Sequence, residues 1–342
     1  MSIDNLSEYV GQEDFKRRLK YAISSSILRA TSFPHTLMAG PPGLGKSCLA
    51  KIIANETACP FYSYLATSIE SEKHIEAIFA KLSKSGYNLK TGEVKDRKEI
   101  LPAIIFIDEI HNLSRRLTEM LHTALENRAI TIKRKNFITG IVEPVRCWIP
   151  EFCLIGATNY LGSLSKPFRD RFQIILSFEI YTDEEISSVI KTHANKKGII
   201  IKEDAINCIS SKSRGVPRIA ISFLSKACDV STVRQKKETL FGMEVTLDDV
   251  KEMFDSEGID EFGLNKLDRK ALSYLVTVGR PIGLKALAQA IDEDIQTVEN
   301  IIEPYLVKIG FIVRTGTGRY VTDKGKDYLN RERPETLYPI IN

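Results

Sequence analysis

The eight residues GPPGLGKS, 40–47, constrain this chain more than any other stretch. They follow the apolar run HTLMA and open the helical pattern SCLAKIIANE. In G-x-x-x-x-G-K-[ST] the glycines let backbone N–H groups close around phosphate oxygens, and the helix that follows adds a favourable dipole. A Gly-rich turn that binds nothing is the alternative, and a strand before and a helix after argue against it. A strand–loop–helix unit of this kind belongs to a parallel α/β sheet, with the ligand outside the carboxyl ends of the strands.

The surrounding pattern agrees. HTLMAG (35–40), FYSYLA (61–66), IIFIDE (104–109), FCLIGAT (152–158) and IILSFEI (174–180) are near-continuous apolar runs. Runs of that type read as strands covered on both faces. Amphipathic helices lie between them, among them SRRLTEMLHTALEN with Ser114 as N-cap.

Within this frame the polar residues acquire roles. In the loop, Pro42, Gly43, Gly45, Lys46, Ser47 and Cys48 surround the phosphates of ATP. Lys46 reaches the β/γ-phosphates and the Ser47 hydroxyl ligates Mg²⁺. IIFIDEIH ends a buried strand in two carboxylates, Asp108 for the Mg²⁺ and Glu109 as general base for the attacking water. GATN places Thr158 and Asn159 at the end of the next strand, where an amide can orient that water. PFRDRF (167–172) offers Arg169 and Arg171 as fingers supplied across a subunit boundary, which implies assembly into a ring. Arg218, in RGVPRIA, is placed to reach back over the nucleotide.

At 342 residues the chain is too long for one ordinary domain. The pattern divides it into an α/β ATPase domain (1–180), an all-helical lid (181–256) and a winged helix (257–342). The lid starts with a capping box, Thr182 and Glu185, and DSEGIDEFG reads as a linker. The segment 81–100 is extra and carries six basic residues against three acidic; 128–148 reads as a long β-hairpin. No apolar run is long enough to span a bilayer and no secretory signal is evident. The six cysteines show no CxxC pair, as expected of reduced thiols in a cytoplasmic protein.

A net charge of +4 is too small to argue for nucleic-acid binding, so any basic surface is local. The candidate recognition helix, DEDIQTVENIIEPYL, carries Asp292, Glu293, Asp294, Glu299 and Glu303, which phosphates repel. From Lys308 onward seven basic residues face four acidic ones. DNA contact is therefore expected at the hairpin GFIVRTGTGRYVTD, through Arg314 and Arg319, by backbone contact without base readout.

GPPGLGKS, FIDEIH, LIGATN, PFRDRF, SRGVPRIA and IEPYLVKIGFIVRT together resemble the RuvB-type Holliday-junction branch-migration ATPases of the AAA+ superfamily, over essentially the whole chain. The resemblance implies an AAA+ core with strand order 5-1-4-3-2, a helical lid and a winged-helix module. It also implies a homo-hexameric ring that pumps duplex DNA at a Holliday junction, with a RuvA-like partner at the crossover. By position it assigns Tyr9, Val10 and Tyr181 to the adenine pocket, Asn159 with Thr158 to sensor 1, Arg171 to the finger with Arg169 competing, and Arg218 to sensor 2. It assigns Arg314 and Arg319 to the DNA-contacting wing. Three departures stand out: GATN in place of GATT, the 81–100 insertion, and Lys133, Arg134 and Lys135 in the hairpin that engages RuvA. A clamp- or helicase-loader ATPase and a nucleotide-switched DNA adaptor are the competing functions.

Overall fold

The computed structural model describes residues 5–83, 102–135, 141–236 and 238–331. The insertion beyond Ser83, the hairpin tip and the last eleven residues therefore lie outside the described residues. The chain forms two compact units, Met1–Tyr181 and Thr182–Asn342.

The first unit runs α1 (Glu13–Arg29), β1 (Thr36–Ala39), α2 (Lys46–Glu56), β2 (Phe61–Leu65), α3 (Glu72–Ser83), β3 (Ala103–Asp108) and α4 (Arg115–Asn127). It continues through β4 (Ala129–Lys135), β5 (Val142–Trp148), β6 (Phe152–Thr158), α5 (Lys166–Arg169) and β7 (Ile174–Ser177). Five strands make a parallel sheet in the order β2-β3-β6-β1-β7, and β4 and β5 pair separately as an antiparallel hairpin. With the hairpin set aside this is the expected 5-1-4-3-2. The central β1 and β6 are buried at every residue, as continuous apolar runs covered on both faces must be. Ser114 caps α4 as its sequence position predicts, accepting a hydrogen bond from the Leu117 N–H.

One core contact is acid-sensitive. His35, just before β1, accepts the Leu154 N–H at Nδ1 (2.9 Å), which requires a neutral ring. Burial pushes its pKa down from 6.5 to about 4. The unfolded chain therefore takes up the proton first, so this contribution is complete above pH 6.5 and lost as pH falls to about 4. It amounts to about 3 kcal/mol. Urea unfolding between pH 7 and pH 4 should show that loss, and His35→Gln, which keeps an acceptor without titrating, should flatten the acid limb.

The second unit contains α6 (Asp183–Lys197), β8 (Ile200–Ile201), α7 (Glu203–Lys212), α8 (Pro217–Gln235), β9 (Glu244–Val245) and α9 (Leu247–Ser256). Next come α10 (Lys266–Val278), α11 (Leu284–Ile291), α12 (Ile295–Thr297), α13 (Glu303–Lys308), β10 (Ile312–Thr315), β11 (Gly318–Val321) and α14 (Asp323–Arg331). The Thr182–Glu185 capping box is present. The lid is not purely helical, because β8 and β9 form a two-residue parallel ladder. The expected third helix of the winged helix is broken. A π-helical turn, Val298–Ile302, separates α12 from α13. Pro304 in the first turn of α13 supplies the reason, since it has no N–H to continue an α-helical ladder. Helix α14, which follows the hairpin, escaped the sequence reading.

DSEGIDEFG is not a loose linker either. Asp260 accepts the Phe262 and Leu264 N–H groups at 2.9 Å each, and its other oxygen pairs with Arg269 at 3.4 Å. The Tyr328 hydroxyl also donates to Asp260. One carboxylate thus fastens the start of the winged helix to its end.

Candidate nucleotide site and wing

The loop between β1 and α2 is shaped by backbone sterics. Gly40 has φ +149°, and a Cβ there would meet Cβ and the carbonyl oxygen of Phe178 at 2.8 Å. Gly45 has φ +93° and lies against the Tyr9 hydroxyl. Behind the loop, Tyr9 donates to the Leu44 carbonyl (3.2 Å) and the Tyr181 hydroxyl lies 3.3 Å from that of Tyr9. Both rings are buried. Burial, reinforced by Tyr181, pushes the Tyr9 phenol well above its usual pKa, so it stays a neutral donor. The two tyrosines expected at the adenine pocket therefore brace the loop from beneath. Val10, Pro42, Gly43 and Cys48 are half-buried around it.

Lys46 is the buried hub of the site. Its ammonium donates to the carbonyls of Gly40 (2.6 Å) and Pro41 (2.9 Å) and to Asn159 Oδ1 (2.9 Å). The other end of the Asn159 amide donates to Glu109 Oε1 at 2.8 Å. One side chain thus joins the loop lysine to the second carboxylate, and its two contacts set the amide orientation. The departure GATN has a structural sense here: an amide presents an acceptor and a donor at different ends. Thr158 does not share this position. It is fully buried, with Oγ1 3.0 Å from His111 Nδ1 and accepting the Tyr160 N–H.

Ser47 Oγ lies 3.3 Å from Asp108 Oδ2. A hydroxyl and a carboxylate are hard oxygen donors suited to Mg²⁺, which takes few protein ligands when phosphates and water complete its shell. Among the described residues no cluster of three His, Cys, Asp or Glu ligands occurs. Glu109 leaves the strand in the left-handed region at φ +51°, a costly conformation for a non-glycine residue. Its Oε2 lies 3.4 Å from His111 Nδ1.

Phe168 and Phe172 anchor the PFRDRF segment, packing edge to face with centroids 5.4 Å apart. Arg171 donates from Nε to His122 Nε2 (2.9 Å) and pairs with Glu126 at 3.1 Å. Arg169 is half-buried, and its Nε has no hydrogen-bond partner among the described residues. A cavity of about 670 Å³, lined by His111, Arg115, Glu119, His122, Ser165 and Phe168 among others, lies between α4 and this segment. His111, His122 and Glu126 were not singled out from sequence. The only available signal was the i, i+4 spacing of His122 and Glu126 on α4.

In the second unit Arg218 is exposed in the first turn of α8. The wing differs from expectation in one respect. Arg314 and Arg319 are cross-strand partners in the β10–β11 hairpin, and both engage Glu303, which is fully buried. Glu303 is therefore not part of a solvated acidic face; it holds the wing. The Arg314 side chain keeps 56% of its exposure and Arg319 only 19%. Arg319→Ala should chiefly lower stability, by about 3 kcal/mol for a broken buried pair, read as the midpoint of urea unfolding.

Residues 2–178 match the family described as the Holliday junction DNA helicase RuvB P-loop domain. Residues 181–249 match the RuvB AAA lid domain and 261–330 the RuvB C-terminal winged helix domain. The chain belongs to the RuvB family. It is 39% identical over 326 residues to the Holliday junction branch migration complex subunit RuvB of Fervidobacterium nodosum, covering 95% of this chain and 87% of that one. The RuvB subunit of Prochlorococcus marinus is 37% identical, with 95% of this chain and 86% of that protein covered. Among solved structures, the Thermotoga maritima RuvB Holliday junction branch migration motor superposes with a TM-score of 0.78 at 33% identity, over 97% of this chain and 99% of that one. Among the described residues no helix is long and apolar enough to cross a membrane.

Proposed function

We propose that this RuvB-family chain is an ATP-driven motor that moves duplex DNA through Holliday junctions, working as a cytoplasmic homo-hexameric ring. The observation that carries this reading is the Lys46–Asn159–Glu109 connection at the carboxyl ends of β1, β3 and β6. It joins the phosphate-binding lysine to the hydrolytic carboxylate in a chain that also carries the family's lid and winged helix. Lys46 holds the β/γ-phosphates, Asn159 orients the attacking water and Glu109 accepts its proton. Ser47 and Asp108 hold Mg²⁺, whose charge offsets that of the phosphates. Arg171 serves the site of the neighbouring subunit, with His122 and Glu126 aiming its guanidinium. Tyr9, Val10 and Tyr181 form the base of the adenine pocket, and Arg218 answers to the nucleotide from the lid.

At the wing, half-exposed Arg314 is the phosphate contact and Arg319 its brace. A plot of log affinity for duplex against log salt should lose about one unit of slope in Arg314→Ala, and much less in Arg319→Ala. The β4–β5 hairpin, with exposed Val142 and Trp148 and the Arg146 guanidinium 4.7 Å from the Trp148 ring, is the docking element for a RuvA-like partner.

The deciding experiment is ATP-dependent migration of a synthetic four-way junction, with and without RuvA. Migration dependent on ATP supports the motor. Hydrolysis without migration in either condition would instead support a loader.

A further inference from the structure

We infer that Arg214 is a positioning residue of this motor: it clamps the winged helix to the lid so that the two move as one lever. The inference rests on the motor reading above and adds how the lid reaches the wing.

The clamp is built from a turn and a cap. Arg214 sits in the α7–α8 turn at φ +58°, a left-handed conformation that is costly for a non-glycine residue. Its guanidinium donates to both oxygens of Asp268, one at 3.3 Å, and to the Gly263 carbonyl at 2.9 Å. It also lies 4.5 Å from the centroid of the Tyr305 ring. Asp268 is fully buried and caps α10, accepting the Asn265 N–H at 2.8 Å. The lid backbone comes close as well: a Cβ on Gly263 would stand 3.0 Å from the Lys212 carbonyl oxygen.

A planar fork with several donors fixes direction as well as distance, which a single ammonium does not. Folding alone does not require it, because a buried ion pair is often replaceable by apolar residues without loss of stability. The contacts also continue toward the wing. Tyr305 lies on α13, two residues beyond Glu303, and Glu303 grips Arg314 and Arg319. Four residues after Arg214, the same turn delivers Arg218, the proposed nucleotide contact, to the start of α8. Nucleotide sensing and wing placement thus share one short segment.

The test uses Arg214→Met/Asp268→Asn, which leaves no charge buried alone and keeps an acceptor for the Asn265 N–H. In the full chain with ATP, junction migration per ATP hydrolysed should fall about tenfold, while hydrolysis itself stays near the wild-type rate. Arg214→Lys, which keeps the charge and loses the fork, should fall between the two. An unchanged ratio, or hydrolysis and migration falling in parallel, overturns the inference. Amide hydrogen exchange across 212–216 and 262–268 should also accelerate in the double variant. Unchanged exchange overturns the clamp whatever the motor does, whereas a wild type that never migrates a junction sinks the motor reading and not the clamp.

Discussion

Arg171→Ala is expected to lower DNA-stimulated ATP hydrolysis about 10³-fold, the scale on which a finger arginine stabilises charge in phosphoryl transfer. Arg171 is 37% exposed and steered by His122 and Glu126, so its guanidinium is both supported and available. Arg169→Ala is the comparison: its side chain is half-buried beside the Phe168 anchor, and its loss should cost far less turnover. A finger that acts on a neighbour predicts that mixing Arg171→Ala subunits with Glu109→Gln subunits restores part of the activity. In such a ring an intact site can meet an intact finger. No recovery on mixing, or a larger loss at Arg169, would reassign the role.

Glu109→Gln should reduce hydrolysis roughly 10²- to 10⁴-fold while leaving ATP binding intact. The change removes the basic oxygen but keeps an acceptor for the Asn159 amide, so the Lys46–Asn159–Glu109 geometry survives. Single-turnover hydrolysis and nucleotide binding, measured on the same preparation, separate the two effects. If the substitution left the chemical step unchanged, Glu109 would not be the base. If the wild type showed negligible turnover even with DNA, the nucleotide-switched adaptor would replace the motor.

Much of the first unit was legible in advance because its signals are local. An apolar run, a glycine loop and a helix start lie within about twenty residues, and each constrains the backbone directly. The parallel sheet and the cap at Ser114 followed from such patterns, as did the Thr182 cap that opens the second unit. The winged helix was harder. Glu303 looked like one more carboxylate on an acidic helix, because its burial depends on the Pro304 break and on a hairpin folding back against it. The DSEGIDEFG segment, 255–263, read as a linker because its polar and glycine residues resemble one. Asp260 organises it by accepting the Phe262 and Leu264 N–H groups and by reaching Arg269 and Tyr328 beyond it.

The sequence by itself determined the phosphate loop, the two carboxylates at the end of a buried strand, the division into an ATPase core, a lid and a wing, and the family. These rest on residue types at short, fixed spacing, which backbone geometry converts into structure with few alternatives. Only the tertiary structure decided that Asn159, and not Thr158, connects Lys46 to Glu109, that His122 holds Arg171, and that Arg214 ties the lid to the winged helix. Each of these joins residues 49 to 113 positions apart. Which of several polar side chains meets which is set by packing of the buried elements between them, and no local pattern carries that information.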